Sequence, residues 1–245
     1  MLLLIDIGNT NITFGLLKNN KITRTFNILT NAYALKKFKA KTVPFISDTV
    51  ICSVVPKVTE RVKRDLLNLT DRKPYIIGKD ILVPIKNLYH KPQEVGQDRL
   101  VNAYAASILY GAPLIAIDFG TAVTFDIISK KKEYLGGMIL PGLKMSLEAL
   151  NQRTALLPKI KLEKPNDFIG RDTKNSMLSG IFYGFGSLTD ELITRIRKVI
   201  GKSAKAIATG GNTELISKYC RKIDKLDKNL TLKGLNMLYL YKKNT

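Results

Sequence analysis

Ile5-Asp6-Ile7-Gly8-Asn9-Thr10-Asn11 closes an apolar run that starts at Met1, and Ile12-Thr13-Phe14-Gly15-Leu16-Leu17 beyond it is again rich in β-formers. Asn19-Asn20 then has the composition of a tight turn into a third strand, Lys21 to Ile28. Asp6 to Asn11 is therefore read as the tip of a β-hairpin. A Gly-Asn-Thr turn offers closely spaced backbone N–H groups and small polar side chains, which can wrap phosphate oxygens. An Asp at its start can hold a divalent ion, directly or through water. Ordinary hairpins close with the same polar residues, so one copy leaves both readings open.

The chain carries a second copy. Pro113 to Ile117 is apolar, Asp118-Phe119-Gly120-Thr121-Ala122 follows, and Val123 to Ile128, a polar turn at Lys130 to Glu133 and a strand near Tyr134 to Ile139 complete the unit. Asp118 lies 112 residues after Asp6. Repetition of a strand–acidic turn–strand unit at this spacing points to two similar lobes, 1–112 and 113–245, whose turns face one nucleotide from opposite sides.

Composition narrows the class. The 245 residues are 45% hydrophobic and 24% charged, values of a globular protein with a real core. No apolar stretch reaches the length of a membrane span. No basic segment or cleavage site precedes the first strand, so a cytoplasmic location is expected. Cys52 and Cys220 then read as reduced core residues. The formal charge of +20 is spread over several helical faces with no nucleic-acid-binding signature, so solvated faces are expected rather than a nucleic-acid partner.

Between and after the hairpins, the spacing predicts a short basic helix over Asn31 to Lys41, a strand at Asp48 to Val55, an amphipathic helix at Val58 to Leu69 and a strand at Pro74 to Ile77. A proline-punctuated segment, Lys79 to Gln97, contains Tyr89 and leads to Gly96-Gln97-Asp98-Arg99, which opens a helix to about Tyr110. Asp98 suits an ordinary helix cap, or an acid presented with Arg99 at a helix mouth. Gly136-Gly137 can bring backbone close to a ligand or to another strand. A long helix is expected over Lys174 to Ile200, with a small-residue stretch fit for close packing in the lobe or across a dimer. Thr209-Gly210-Gly211-Asn212 ends a strand and lets a flat base lie on the main chain, or serves as a plain strand-to-helix turn. Leu230 to Tyr241 forms a closing apolar helix.

Gly201-Lys202-Ser203 closes a helix and lacks the upstream glycine of a P-loop. His90 is the only histidine, which excludes a Ser-His-Asp triad and a histidine-based metal site. Base chemistry falls to a carboxylate.

Asp6-Ile7-Gly8-Asn9-Thr10-Asn11, Tyr89 seven residues before Gly96-Gln97-Asp98-Arg99, Asp118-Phe119-Gly120-Thr121, Gly136-Gly137 with Pro141-Gly142, and Gly170-Arg171-Asp172-Thr173 together resemble the type III pantothenate kinases, in family order and over nearly the whole chain. The resemblance implies an α/β fold of two ribonuclease H-like (actin-like ATPase) lobes, a homodimer, and phosphorylation of pantothenate by ATP with Mg2+. By position, Asp6, Ile7, Gly8, Asn9, Thr10, Asn11, Ile12 and Thr13 would bind ATP, with Asp6 near the divalent ion and Thr121 a further ATP contact. Asp118 would bind a monovalent cation, K+ or NH4+. Tyr89, Gly96, Gln97, Asp98, Arg99 and Thr173 would bind pantothenate, with Asp98 as proton acceptor. Thr209 to Asn212 resembles the superfamily's adenosine turn. Asp98 near a helix N-terminus is expected to be a weak, readily ionised base. Two alternatives keep the fold: a nucleotide-binding transcriptional accessory protein, and a kinase for another small alcohol.

Overall fold

The computed structural model describes residues 1–35, 38 and 46–244. The first sheet contains β1 (Leu2–Ile7), β2 (Asn11–Lys18), β3 (Lys21–Leu29), β4 (Asp48–Ser53) and β5 (Tyr75–Ile76), in the order β3-β2-β1-β4-β5. β1 is antiparallel to β2 and parallel to β4. Its apolar run lacks the alternation of a half-exposed strand because both of its faces are covered. Leu3, Ile5 and Ile7 pack with Phe14, Ile51 and the Val62 and Leu66 side chains of helix α1 (Pro56–Thr70). Leu4, Val50 and Cys52 pack with Val101 of α2 (Gln97–Tyr110) and with Leu232, Leu235 and Leu238 of the closing helix. The β2–β3 turn places Asn19 at φ 51° and Asn20 at φ 59°, the left-handed pair that a two-residue hairpin turn requires.

The second sheet repeats the plan. It holds β6 (Leu114–Phe119), β7 (Ala122–Ile128), β8 (Tyr134–Pro141), β9 (Lys205–Thr209) and β10 (Lys225–Leu226), in the order β10-β9-β6-β7-β8. β6 corresponds to β1, again antiparallel to its hairpin partner and parallel to the strand on its other side. Ile115, Ile117, Phe119, Val123 and Phe125 pack under α3 (Leu143–Arg153) and α4 (Thr173–Ile200). α4 begins at an Asp172 cap, whose carboxylate accepts from the Asn175 N–H at 2.8 Å. Within its small-residue stretch only Gly186 is pressed by a neighbour: a Cβ there would lie 2.2 Å from the Tyr219 carbonyl oxygen, whereas Gly180 and Gly184 have open space. Two further helices among the described residues are the four-residue α5 (Thr213–Ile216) and α6 (Leu230–Asn244).

The chain divides into two compact units, Met1–Ile85 with Lys91–Ala105 and Asn229–Thr245, and Lys86–His90 with Ala106–Lys228. This differs from a single division at 112/113 in two places. α6 joins the first unit because its leucines fill one face of that sheet, and Gly15 and Gly234 let it approach closely: a Cβ on Gly15 would lie 2.9 Å from Leu232 Cδ1, and one on Gly234 2.7 Å from Val101 Cγ1. Lys86–His90 joins the second unit through pairing with Tyr134. The short basic helix expected over Asn31 to Lys41 falls largely on 36, 37 and 39–41, outside the described residues; ahead of it, Thr30–Ala32 forms a 3-10 turn.

Candidate active site

The first hairpin turn is braced by one internal hydrogen bond and two from Thr30. The Gly8 N–H donates to the Asn11 carbonyl at 3.0 Å, the Thr30 N–H donates to the Thr10 carbonyl at 2.9 Å, and the Thr30 hydroxyl donates to the Gly8 carbonyl at 2.7 Å. Asn9, Thr10 and Asn11 at the tip are exposed, whereas Ile7 and Ile12 anchor it in the core. Asp6 pairs across the sheet with Thr13 on one side and Cys52 on the other. A polar, exposed tip on a rigid apolar stem is what an anion-gripping turn needs.

Asp98 is the second residue of α2. Its Oδ1 accepts from the Arg99 N–H at 2.9 Å and folds back on Gly96, where a Cβ would lie 2.5 Å from it. Gln97 packs on Gly78, whose φ of +83° and missing side chain leave the room it takes: a Cβ there would lie 2.7 Å from Gln97 Cδ. Asp98 is half-buried, and its surroundings penalise charge: burial pushes its pKa up, against the opposing pull of the Arg99 N–H and guanidinium. The helix-end expectation of an easily ionised, weak base is thus reversed, because desolvation outweighs the helix terminus.

The charges of Asp6 and Asp98 are both felt at Cys52. Burial pushes the pKa of this fully enclosed thiol well above its ordinary value, and the negative charges of Asp6 and then Asp98 push it further. Both carboxylates are therefore near one side chain within one unit. Cys52 reads as plain core in the sequence; its cross-strand pairing with Asp6 is the only signal of its place, and that requires knowing the sheet.

In the second unit Asp118 occupies the position of Asp6, between Thr124 and Thr209. The hairpin turn is one residue shorter: Phe119 faces Val123, whereas Ile7 faces Ile12. The Gly120 N–H donates to the Ala122 carbonyl at 3.1 Å. Thr121 is exposed, and its carbonyl accepts from the Gly142 N–H at 3.0 Å. Thr209 to Asn212 folds against this turn: the Asn212 N–H donates to the Phe119 carbonyl at 3.0 Å and its Nδ2 to the Gly120 carbonyl at 3.4 Å. Gly210, at φ +97°, leaves the space that the Asp118 carboxylate fills. Tyr89 belongs to this unit and lies over Gly136. Thr173, exposed, opens α4 beside the Asp172 cap.

Among the described residues, no group of three or more His, Cys, Asp and Glu side chains could hold a metal alone. A magnesium ion carried with a nucleotide needs only one or two carboxylates, the rest of its shell coming from phosphate and water. Asp6, at the foot of a braced polar turn, fits that demand. No helix among the described residues is long and apolar enough to cross a membrane.

The sequence profile of the type III pantothenate kinases matches residues 2–195. A type III pantothenate kinase of Geotalea daltonii is 40% identical over 250 residues, covering 98% of each chain, and one of Persephonella marina is 40% identical over 255 residues, covering all of both. Among solved structures, a conserved protein of Campylobacter jejuni described as a Baf family transcriptional activator aligns over 99% of this chain and 100% of its own, with a TM-score of 0.62 at 21% identity. Component A of the (R)-2-hydroxyglutaryl-CoA dehydratase of Acidaminococcus fermentans aligns over 99% and 98%, with a TM-score of 0.54 at 12% identity. At these identities the two structures speak for the fold alone, the α/β fold of two ribonuclease H-like lobes. Motifs, full-length relatives and fold agree, and the chain belongs to the type III pantothenate kinase family.

Proposed function

We propose that Asp98 is the proton acceptor as this ATP-dependent kinase transfers the γ-phosphoryl group of ATP to the hydroxyl of pantothenate, giving 4'-phosphopantothenate at the start of coenzyme A synthesis. The observation that carries the residue assignment is the setting of Asp98: it lies in the first turn of α2 beside buried Arg99, its charge and that of Asp6 both act on the Cys52 thiol, and burial raises its proton affinity. A carboxylate made more basic by desolvation takes a proton more readily as the bond to phosphorus forms. Arg99, buried beside it, suits a carboxylate of the acceptor through its fork of donors.

Asp6 to Thr13 is the proposed triphosphate turn, and Thr121 a further ATP contact. Phosphoryl transfer asks a protein chiefly for charge neutralisation and alignment. Magnesium, when bound with ATP, neutralises phosphate charge; Asp6 is its proposed ligand. Asp118 is proposed to bind a monovalent cation, K+ or NH4+, and Tyr89, Gly96, Gln97 and Thr173 to contact pantothenate. A homodimer in the cytoplasm completes the reading.

A coupled assay for ADP release, with and without pantothenate, tests it. ADP formed only with pantothenate, and lost when K+ and NH4+ are replaced by Na+, is the expected result. Release that ignores pantothenate refutes the acceptor, and a panel of other small alcohols in the same assay finds a different one. ATP binding without any turnover favours instead a nucleotide-dependent accessory role in transcription.

A further inference from the structure

Lys86–His90 is a five-residue excursion: both of its flanks belong to the first unit, and it belongs to the second. Tyr134 holds its main chain there. The Tyr134 N–H donates to the Lys86 carbonyl at 2.8 Å, and the Leu88 N–H donates to the Tyr134 carbonyl at 2.9 Å. Lys86 also reaches Glu133 at 2.8 Å, an exposed pair that adds little by itself. Tyr89 follows directly, its N–H accepted by the Asn87 side chain at 3.0 Å.

Tyr134 is itself pinned. It is fully buried, and its hydroxyl donates to Asp126 Oδ1 at 2.7 Å. Asp126 is a buried carboxylate in the apolar strand β7, and it also accepts from the Thr124 hydroxyl at 3.2 Å. A buried charge in mid-strand is costly unless it is bonded, so its presence in an otherwise apolar run calls for a purpose. Between β7 and β8 the register shifts: Ile128 faces Tyr134 and Ile127 faces Gly136, leaving Leu135 as the extra residue of a bulge. Gly136 beyond it adopts φ +129°, and the Tyr89 ring lies where a Cβ on Gly136 would meet it at 3.5 Å. The bulge turns bare backbone towards the ring, and the Asp126–Tyr134 bond fixes the strand end from which the Tyr89 segment hangs.

We infer that Asp126 and Tyr134 are positioning residues that set the Tyr89 ring on the Gly136 backbone, and thereby tune affinity for the acceptor rather than for ATP. The inference rests on the proposed contact of Tyr89 with pantothenate. Neither Asp126 nor Tyr134 need touch a substrate. Removing the Tyr134 hydroxyl keeps the two main-chain bonds to the segment but loosens the strand end that makes them, and alters no residue of either hairpin turn or Asp98.

The chain contains no tryptophan, so Tyr89→Trp installs a single indole that reports on this site. Adding Tyr134→Phe to that variant is expected to red-shift the emission and lower its anisotropy. Asp126→Ala should do the same, whereas Asp126→Asn, which keeps an acceptor oxygen for the Tyr134 hydroxyl, should restore most of both. In an otherwise natural chain, Tyr134→Phe should raise KM for pantothenate on the order of ten-fold, with kcat and KM for ATP within about two-fold. An unchanged spectrum overturns the positioning role, and so do equal losses in both KM values and kcat. A Tyr89→Ala variant with normal KM for pantothenate overturns instead the contact of Tyr89 with the acceptor, and the optical comparison still decides the positioning by itself.

Discussion

Replacing Gly210 by alanine should damage the second unit and nucleotide binding together, while the same change at Gly211 should leave the fold intact. Gly210 sits at φ +97°, where an L side chain costs about 1–3 kcal/mol in backbone strain. Its new Cβ would lie 2.2 Å from Asp118 Oδ1 and 2.7 Å from the Phe119 N and C atoms. The carboxylate can rotate away. The Phe119 main chain cannot, because it pairs with Val123 of β7, its carbonyl accepts from the Asn212 N–H and its side chain is fully buried. Overpacking of this kind costs about 1–3 kcal/mol more, so the total is about 2–6 kcal/mol. At about 2–4 °C per kcal/mol for a chain of this size, the melting temperature should fall on the order of 10 °C. Gly211 has no positive φ and nothing within 4 Å of its Cβ position, so Gly211→Ala should stay within about 0.5 kcal/mol of the parent. Thermal unfolding by circular dichroism gives the first readout, and KM for ATP, measured well below the transition, gives the second. Gly210→Ala should raise KM for ATP through the displaced Asp118 and the 209–212 turn. Equal melting temperatures for the two alanine variants would refute the reasoning.

Asp98→Asn should bind ATP as before yet lose about 10²–10⁴-fold in turnover; near-normal kcat in stopped time courses would refute Asp98 as the base. The same variant should melt no lower than the parent at neutral pH. A buried carboxyl with a raised pKa stabilises fully only below its unfolded value, and that stability is lost as pH rises through the folded one, a loss the neutral amide escapes. Because the base acts ionised, kcat/KM for pantothenate should fall on acidification with a midpoint above the ordinary aspartate value of about 4, and Asp98→Asn should lack that limb in a pH profile. Both thiols should resist iodoacetamide in the folded protein at pH 8, Cys52 because burial and two carboxylates hold it protonated and Cys220 because burial pushes it up to about 12; mass spectrometry before and after urea should show two labels only on unfolding.

Much of this was legible in the chain. The two strand–acidic turn–strand units, the left-handed Asn19-Asn20 turn and the long helix ending near Ile200 follow from local composition, since turn chemistry and apolar periodicity act within a few residues. Strand β10, two residues long, was not legible, and beyond the 209–212 turn the chain forms only the four-residue α5 and then a 3-10 turn, Ser217–Tyr219. Asp126 stands out in the sequence only as a lone carboxylate in an apolar strand.

The sequence by itself determined the two strand–acidic turn–strand units and the helix opening at Gln97-Asp98, because turn and helix-start chemistry depends on residue type and local spacing. Only the tertiary structure decided what surrounds those residues and what holds them. Burial around Asp98, the nearness of Asp6 and Asp98 to Cys52, and the suspension of Tyr89 from Tyr134 arise between segments far apart in the chain. Desolvation and cross-strand contact depend on what surrounds an atom in space, which no window of neighbouring residues contains.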